Sequence, residues 1–332
     1  MKAKAIVFPE PNRVDFAEFD LPSPGPGQIL TRTLYTGVST GTELRVLRGG
    51  EEGAVFPLVP GYENVGEIVA VGAGVSLAVG TRVFVTSFAE TGPFHRVWGA
   101  QTAYVLGDAS GAFVFPEGVD PIDALYAKTG AIALHGIKRG RVTSADTVAV
   151  VGQGLIGLLA AQAAKAMGAK VIAVDILPVR LEAARKAGID YVIDAGRENT
   201  EEAVKHLSGG GVDVAVDATG VAATVDGTIR LLRLKPWQPP YPPSGRAVIL
   251  GSYTEPVSLH YHPTIFDLEP DIFASRDSTP DDIRETLGLI AEGKIRPRVI
   301  QAKVVPYTEA PRAYHDLAQK AVARAVFDWT RA

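Results

Sequence analysis

The segment 148–160, VAVVGQGLIGLLA, constrains the fold of this chain more than any other segment. An apolar run of strand type precedes the three glycines Gly152, Gly154 and Gly157, and an apolar run with helical spacing follows them. In such a unit the first glycine permits a tight turn and the third lets the helix pack close to the strand. The segment therefore predicts a strand, a turn and a helix in a parallel sheet.

The segments after this unit alternate between strand and helix patterns. Strand patterns occur at 170–175, 191–194, 212–220 and 246–253, and helix patterns lie between them at 177–188, 200–210 and 221–232. This alternation predicts a doubly wound parallel sheet with right-handed crossovers. The Pro-rich stretch 237–245, WQPPYPPSG, is predicted to be a surface loop before the last of these strands.

The parts of the chain that flank this α/β region are rich in strand patterns. Short alternating or β-branched runs occupy 4–8, 14–19, 28–38, 66–72, 81–88 and 102–106. A helix is predicted at 281–295, a strand and a helix within 304–319, and a closing strand at 324–329. The predicted fold class is therefore α/β with two domains. Residues 1–120 and 275–332 form a β-rich domain, and residues 121–274 form a Rossmann domain.

Composition excludes several classes of protein. The chain has 332 residues and a net charge of −4 with no basic tail, so neither nucleic acid nor an anionic membrane surface is an expected partner. It has no cysteine, which excludes disulfides and thiolate metal sites. No signal-type segment and no apolar run of about 18 residues is present, so we expect a cytoplasmic protein without a membrane span.

The glycine pattern and the strand after it predict a dinucleotide site. The start of the helix at Gly154 offers free N–H groups to a diphosphate. Asp175 ends the next strand, 18 residues after Gly157, where a carboxylate binds ribose hydroxyls and repels a 2′-phosphate. This predicts NAD rather than NADP, although Arg180 is near enough to stack on the adenine. The structural alternative is a βαβ unit whose glycines allow close packing but which binds no ligand.

The order of the motifs resembles that of the medium-chain dehydrogenase/reductase superfamily over essentially the whole chain. GVSTGTE at 37–43 and PGYENVGEIVAVG at 60–72 precede the Rossmann motifs VGQGLIG, VIAVD and VDVAVDATG. The resemblance implies a GroES-like catalytic domain, a Rossmann domain, a small-molecule alcohol substrate and a homodimer or homotetramer. It also places Thr219 along the cofactor. The candidate cofactor-binding residues are Gly152, Gly154, Leu155, Ile156, Gly157, Asp175, Arg180, Thr219, Gly251 and Ser252.

The resemblance also implies that this member lacks zinc. In zinc-dependent members a histidine stands where this chain has Tyr62, between Gly61 and Glu63. The other two ligand positions fall on Ser39 or Thr40 and on Lys128. None of these side chains suits zinc, since an ammonium group repels the ion and hydroxyls are poor ligands for it. We therefore expect no metal.

A narrower resemblance bears on the reaction. STGTE, PLVPGYE, SRDSTPDDIRETLGLIAEGKI and VFDW are similar to a zinc-free subgroup that includes a dehydrogenase of bacteriochlorophyll biosynthesis. This implies NAD-dependent oxidation of the 3-(1-hydroxyethyl) group of a (bacterio)chlorophyllide to acetyl. A polyol, cyclitol or sugar dehydrogenase and a catalytically silent NAD-binding protein are alternatives. Enoyl or quinone reduction is a further option, but those enzymes usually prefer NADPH.

Three residues are candidates for the chemistry that zinc would otherwise perform. Lys128 would stabilise the alkoxide, or act as base if burial lowers its pKa. Tyr62 would donate a hydrogen bond or act as base, and Thr42 would relay the proton, with all three expected near the nicotinamide. Their structural alternatives are a surface lysine, a packing tyrosine and a turn residue. Glu43 and Glu63 are expected to pair with Lys128 or with arginines.

Other polar and aromatic residues are weaker candidates for the site. His135 is expected to be a core histidine, and His260 and His262 lack an evident third metal ligand. Aromatic side chains of the β-rich domain would either wall a flat apolar substrate pocket or belong to the core. These are Tyr35, Phe94 and Trp98.

Overall fold

The chain folds into two compact units. In the computed structural model, which describes residues 1–234, 236–238, 243–322 and 324–331, the first unit is Met1–Ala127 with Ile300–Ala332. The second unit is Lys128–Val299. The chain thus leaves the first unit, builds the second, and returns.

Strands dominate the first unit, and strands alternate with helices in the second. The strands are β1 Lys2–Val7, β2 Asp15–Asp20, β3 Gln28–Gly37, β4 Leu58–Val59, β5 Glu63–Val71, β6 Arg82–Val85, β7 His95–Arg96, β8 Tyr104–Asp108, β9 Ala112–Val114, β10 Thr147–Val151, β11 Lys170–Asp175, β12 Tyr191–Asp194, β13 Val214–Asp217, β14 Arg246–Ile249, β15 Asp271–Ala274, β16 Lys303–Pro306 and β17 Ala325–Asp328. The helices are α1 Thr42–Leu47, α2 Pro121–Ala124, α3 Ala127–Arg139, α4 Leu155–Ala166, α5 Pro178–Lys186, α6 Thr200–Ser208, α7 Val225–Ile229, α8 Phe266–Leu268, α9 Pro280–Ala291 and α10 Ala310–Ala318.

The second unit is built on a parallel sheet. Its strands lie in the order β12-β11-β10-β13-β14-β15, and every neighbouring pair is parallel. The order reverses direction between β10 and β13, so their carboxyl ends border the crevice where open α/β sheets bind ligands. The predicted doubly wound sheet is confirmed. The edge strand β15 was not predicted.

The central strands of this sheet are apolar because helices cover both faces. Val148, Ala149 and Val150 of β10 are fully buried. Helix α4 is also apolar around most of its circumference, with every residue from 157 to 164 buried, as expected for a helix enclosed by protein. The sheet and α4 together hold the glycine loop between β10 and α4 in a rigid frame.

The boundary between the units differs from the one expected from sequence. We expected breaks at 120/121 and 274/275, whereas the units divide at 127/128 and 299/300. Helix α9 is the reason, because Asp282 at its start accepts a hydrogen bond from Lys138 of α3 at 2.8 Å. The backbone of Arg296 then donates to the Gln162 side chain of α4 at 2.8 Å. Residues 275–299 therefore belong with the α/β unit.

The first unit is built on strands that are mostly antiparallel. One sheet has the order β16-β17-β3-β5-β6-β9, with β8 also paired to β3, and only β16 and β17 are parallel neighbours within it. Strand β3 pairs with β5, β8 and β17, and register shifts after Leu30 and Thr33 bend it. One core of this unit is filled by apolar side chains of β1, α1, α10 and β17 and by Val38 directly after β3, among them Ile6, Tyr314 and Phe327.

Two further predictions concern the Pro-rich stretch and the presence of a membrane span. The Pro-rich stretch 237–245 precedes β14, and its residues 239–242 lie outside the described residues. Within the described ranges, no helix is long and apolar enough to cross a bilayer.

Candidate functional site

The loop between β10 and α4 requires glycine at two positions. Gly152 has a φ of +88°, which side chains rarely adopt, and a Cβ there would lie 3.0 Å from the backbone of Thr219. A Cβ on Gly157 would overlap the carbonyl oxygen of Gly152 and lie 3.1 Å from the Ala218 side chain. The loop is therefore closed against the strand by contacts that leave no space for side chains.

Gly154 has a different geometry, because it faces open space. It precedes the first residue of α4, and the nearest heavy atom to a Cβ there would be Cζ of Arg180 at 4.0 Å. No side chain caps this helix, and the half-buried Leu155 and Ile156 form its first turn. Their backbone N–H groups and the helix dipole make this helix end suitable for a diphosphate.

Asp175 ties the end of β11 to the glycine loop. Its carboxylate is 6% exposed and accepts hydrogen bonds from the backbone of Gln153 at 2.6 Å, Ile176 at 2.8 Å and Leu177 at 2.9 Å. The half-exposed Arg180 guanidinium lies 3.4 Å away. A carboxylate suited to ribose hydroxyls and a guanidinium suited to a phosphate therefore stand side by side.

The carboxyl ends of β13 and β14 are held by an aspartate that the sequence patterns did not single out. Asp217 is fully buried and accepts hydrogen bonds from the Thr219 hydroxyl at 2.7 Å and the Tyr253 hydroxyl at 2.6 Å. Burial and the Asp217 carboxylate raise the pKa of Tyr253, which keeps that hydroxyl a donor. The available signal was position, because Asp217 ends its strand as Asp175 does.

Gly251 and Ser252 follow β14 at the same edge. A Cβ on Gly251 would lie 2.6 Å from the Tyr253 hydroxyl and 2.8 Å from the Gly220 nitrogen, and Ser252 is exposed. Together with Thr219 they line the edge that the strand order marks as the ligand crevice. The open helix start, the acid at β11 and this edge form a donor set that fits a dinucleotide.

Lys128 is the second residue of α3 and is held by a pair of side chains from the segment after β15. Its ammonium donates to Asp277 at 2.6 Å and to Ser278 at 3.1 Å, and the side chain is 20% exposed. Burial raises the pKa of Asp277, but Lys128 and Ser278 together lower it more and keep the carboxylate charged. Lys128 is thus not a freely solvated lysine, because Asp277 and Ser278 hold it.

Tyr62 and Ser39 meet within the first unit. The tyrosine hydroxyl donates to the serine hydroxyl at 2.8 Å, and its ring packs edge-on against Trp98 with centroids 5.2 Å apart. Burial raises the pKa of Tyr62, and the charges of Glu63 and Glu43 raise it further. The hydroxyl therefore stays protonated and serves as a hydrogen-bond donor, which disfavours the expected alternative of a tyrosine base. Thr42 is half-buried at the first position of α1.

A catalytic zinc does not fit these residues. At the three ligand positions the chain offers the hydroxyls of Tyr62 and Ser39, which are bonded to each other, and an ammonium bonded to Asp277. None is a thiolate, imidazole or carboxylate of the kind that zinc prefers. Among the residues described, no group of three or more His, Asp or Glu side chains is placed to hold a metal ion.

A buried ion pair lies behind Tyr62. Glu63, fully buried at the start of β5, bonds Arg324, which is 1% exposed and immediately precedes β17. The guanidinium carbon also lies 4.3 Å over the ring of Tyr126. The expected pairing of Glu63 with an arginine is thus present, but Arg324 and Tyr126 were not identified from sequence. A Cβ on Gly37 would overlap the Glu63 carboxylate, so β3 needs a glycine at that point.

The three histidines considered as site components each have a carboxylate neighbour in the second unit. His135 lies 2.8 Å from Asp282, and its side chain is partly exposed rather than a core residue. His260 and His262 bond Asp226 and Asp267, respectively, and not a shared ligand. We assign no cofactor or substrate contact to any of the three.

Each of the two units contains a region that matches a known protein family. The sequence signature of the alcohol dehydrogenase GroES-like domain matches residues 25–117, and that of the zinc-binding dehydrogenases matches residues 156–292. The chain is 31% identical to a sorbitol dehydrogenase of Halalkalibacterium halodurans, over 94% of this chain and 95% of that one. It is 29% identical to the 2-desacetyl-2-hydroxyethyl bacteriochlorophyllide A dehydrogenase of Cereibacter sphaeroides, over 95% and 94%.

Solved structures agree with these matches. A putative zinc-binding dehydrogenase of Sinorhizobium meliloti bound to NADP superposes with a TM-score of 0.85 at 26% identity, covering 99% of both chains. An alcohol dehydrogenase of Escherichia coli complexed with NADH superposes with a TM-score of 0.84 at 25% identity, covering 98% of this chain and 99% of that one. The chain therefore belongs to the medium-chain dehydrogenase/reductase superfamily, as an oxidoreductase of the alcohol dehydrogenase type.

Proposed function

We propose that this protein oxidises a secondary alcohol with NAD and without a catalytic metal. The observation that carries the proposal is the hydrogen bond between Tyr62 and Ser39. By the family resemblance, this neutral hydroxyl donor stands at the position of a metal ligand in zinc-dependent members of the superfamily. A reaction that develops charge on an alcohol oxygen is served by such a donor, because it stabilises an oxyanion without needing a metal.

The cofactor would be held by the second unit. Gly152, Gly154, Leu155, Ile156 and Gly157 form the loop and helix start for the diphosphate, and the edge residues Thr219, Gly251 and Ser252 lie along its path. The Asp175 carboxylate favours NAD by binding ribose hydroxyls, while Arg180 beside it moderates the exclusion of a 2′-phosphate. A dinucleotide held by these residues would supply the hydride acceptor for the oxidation of the alcohol.

The remaining chemistry is the removal of one proton and the stabilisation of the alkoxide. Tyr62, kept protonated by burial, would turn its single O–H from Ser39 to the substrate oxygen, and the Ser39 hydroxyl would then donate to the Tyr62 oxygen. Lys128, oriented by Asp277 and Ser278, would supply positive charge to it. Thr42, half-buried at the start of α1, would relay the hydroxyl proton toward water. The alcohol thereby loses one hydride and one proton and becomes a ketone.

For the substrate we propose the 3-(1-hydroxyethyl) group of a (bacterio)chlorophyllide. The support is the bacteriochlorophyllide dehydrogenase that the chain resembles over nearly its full length, and the exposed aromatic surface of Trp98 next to Tyr62. An aromatic wall suits a flat apolar ring better than a polyol. A polyol is the second candidate, because the sorbitol dehydrogenase relative is 31% identical.

The test is NADH formation, followed by its near-ultraviolet absorbance, with hydroxyethyl chlorophyllide and with a panel of polyols. Metal analysis of the same sample accompanies it. Turnover of the chlorophyllide without bound metal supports the whole proposal. Turnover of polyols alone would support the metal-free alcohol oxidation but contradict the chlorophyllide as the substrate. NAD binding without turnover of any alcohol would overturn the proposal in favour of a silent NAD-binding protein.

Tyr62→Phe tests the donor directly. Removing the hydroxyl should lower kcat about 10²- to 10³-fold, since one oxyanion donor is lost. The free energy of unfolding should change by only about 1 kcal/mol, the worth of the bond to Ser39. The matched control is Tyr104→Phe, on strand β8, for which kcat should be unchanged. A Tyr62→Phe enzyme with unaltered kcat would remove Tyr62 from the mechanism.

We also propose a homodimer that forms through β15. This strand pairs only with β14 among the described strands, and Asp271, Ile272 and Ala274 are exposed along it. An open edge with exposed apolar residues is suited to pairing with a second copy. Light scattering on the purified protein should give twice the mass of the chain, and Ile272→Lys should lower it. A monomer in the unaltered protein would contradict the proposal.

A further inference from the structure

Glu43 is a fully buried acid that the proposed reaction does not yet use. It lies in the first turn of α1, and three donors from three segments hold it. The backbone of Ser39 donates to Oε1 at 2.9 Å. The hydroxyl of Tyr314 on α10 donates to Oε2 at 2.6 Å, and the Gln101 amide donates to the same oxygen at 3.2 Å. The carboxylate thus fixes the peptide of the residue whose hydroxyl receives the Tyr62 bond.

The charge on this carboxyl depends on pH in the neutral range. Burial raises the pKa of Glu43 to about 7, although its hydrogen bonds with Tyr314, Ser39 and Gln101 oppose the rise. The other ionisable groups that act on this cluster are Tyr314 on α10, Tyr62 before β5, Glu63 on β5 and Arg324 before β17. The negative charge of Glu63 adds to the rise. Near neutral pH both forms of Glu43 are therefore populated.

The two forms of Glu43 bind the Ser39 peptide with different strength. A proton on Oε1 would point at the Ser39 N–H, so the neutral acid carries it on Oε2, where the Tyr314 oxygen is able to accept. Oε1 is then a neutral carbonyl oxygen and no longer half of a carboxylate. Hydrogen bonds to an ionised acceptor are about twice as strong as neutral ones, so protonation loosens the Ser39 peptide.

We propose that Glu43 is a positioning residue whose ionisation fixes the Ser39 peptide and thereby the position of the Tyr62 hydroxyl. The coupling runs through the bond from Ser39 N–H to Glu43 and the bond from Tyr62 to the Ser39 hydroxyl. In the ionised form Ser39 stays within hydrogen-bond distance of the Tyr62 oxygen and holds it in place while Tyr62 donates to the substrate. In the neutral form this support is weaker. The kinetic part of this inference rests on the proposed alcohol oxidation, and the structural part does not.

The structural part is tested by nuclear magnetic resonance of protein labelled at the tyrosine ring carbon that bears the hydroxyl, with the Tyr62 signal assigned through Tyr62→Phe. This signal should move with pH around a midpoint of about 7 in the unaltered protein. In Glu43→Gln it should stay constant at the low-pH position, because the glutamine carbonyl accepts from Ser39 and its amide donates to Tyr314. A Tyr62 signal that does not titrate, or that titrates equally in Glu43→Gln, would overturn the inference.

The same experiment includes one variant in which the midpoint of the Tyr62 titration should shift and one control variant in which it should not. Tyr314→Phe removes a donor that lowers the pKa of Glu43, so the Tyr62 midpoint should rise above about 7. A midpoint left unchanged by Tyr314→Phe would contradict the assignment of the titration to Glu43. Glu10→Gln, an exposed acid in the same unit, should leave the Tyr62 titration as it is. If Glu43→Gln does not fold, Tyr314→Phe still decides the question.

Kinetics separate a positioning role from a purely structural one. With a working substrate, kcat should rise about fivefold as Glu43 ionises with increasing pH, whereas KM should change little. Glu43→Gln should keep the low kcat at high pH. An enzyme with turnover but no such rise would refute the role in positioning. An absence of turnover together with a Glu43-dependent Tyr62 signal would instead refute only the proposed function.

Discussion

The glycine loop of the second unit and the buried polar cluster of the first unit are built on opposite principles. The loop consists of backbone within a few residues, and its geometry depends on atoms that are absent, as at Gly152 and Gly157. The cluster consists of side chains from distant segments, and its geometry depends on partners that are present, as at Glu43 and Tyr314. A site of the first kind leaves a local sequence pattern, whereas one of the second kind does not.

Because of this difference, we expect the two regions to tolerate different kinds of substitution. Adding an atom should disrupt the loop, because its close contacts leave no free volume. Removing an atom should disrupt the cluster, because a buried charge without its partner is strongly unfavourable. Substitutions at Arg324, Gly157 and Asp175 test this contrast in order of decreasing effect.

Arg324→Met should give the largest effect. It removes the guanidinium that bonds the buried Glu63 carboxylate, which should lower the free energy of unfolding by about 3–5 kcal/mol. Denaturant unfolding followed by tryptophan fluorescence measures this. Adding Glu63→Gln to the same chain should recover most of the loss, since no buried charge then remains. A single variant as stable as the unaltered protein would show that the ion pair is not needed.

Gly157→Ala should give the next largest effect. Its Cβ would overlap the Gly152 carbonyl, so the helix must shift, at a cost of about 1–3 kcal/mol in stability together with weaker NAD binding. Gly154→Ala is the matched control, since its Cβ has free space and stability should stay within about 1 kcal/mol. Calorimetry of unfolding and of NAD binding distinguishes the two variants. Equal stability losses in both would contradict the close packing of the loop at Gly157.

Asp175→Asn should give the smallest effect of the three substitutions, and this effect should be a change in the preference for NAD over NADP. The single amide oxygen can accept either from Gln153 or from Ile176 and Leu177, so part of this bonding is lost, and the negative charge that opposes a 2′-phosphate is gone. NADP affinity relative to NAD should rise about tenfold, which is about 1.4 kcal/mol. Titration with both coenzymes measures the ratio. Arg180→Gln should move the ratio the other way, and a ratio insensitive to both changes would remove this pair from coenzyme selection.

The pH dependence of stability gives a further check on the cluster. The pKa of Glu43 is raised in the folded protein, so its contribution favours folding below the ordinary pKa of about 4.5 and is lost as pH rises through about 7. The unaltered protein should therefore lose stability over this window relative to Glu43→Gln. Thermal unfolding across the window measures the difference, and parallel pH profiles for the two proteins would place the titration elsewhere.

The sequence predicted most of the fold because its signals were local. The strands β10, β11, β12, β13 and β14 and the helices between them followed from alternation and from turn residues. Strand β15 escaped prediction because its four residues are largely exposed and carry no alternating pattern. Only its pairing with β14 makes it a strand. The boundary at 299/300 was missed for a similar reason, since long-range bonds of α9 define it.

The partners of the candidate site residues could not be predicted. Lys128 reads as a lysine at a helix start, and only the fold brings Asp277 to it across 149 residues. Arg324 is, from sequence, an ordinary arginine at the start of a predicted strand, yet its carboxylate partner lies 261 residues away. Pairwise contacts over such distances leave no periodicity, so a single sequence reveals the residue types but not which of them meet.

The position of β17 in the first unit has a consequence for how the chain is made. This strand pairs with β3 and β16, and it is translated only after the whole second unit. Arg324, which neutralises Glu63, and Tyr314, which holds Glu43, emerge just before it. On the ribosome the nascent first unit therefore waits through the synthesis of the whole second unit with two acids still lacking these partners. The first unit is therefore completed only after the second unit has been synthesised.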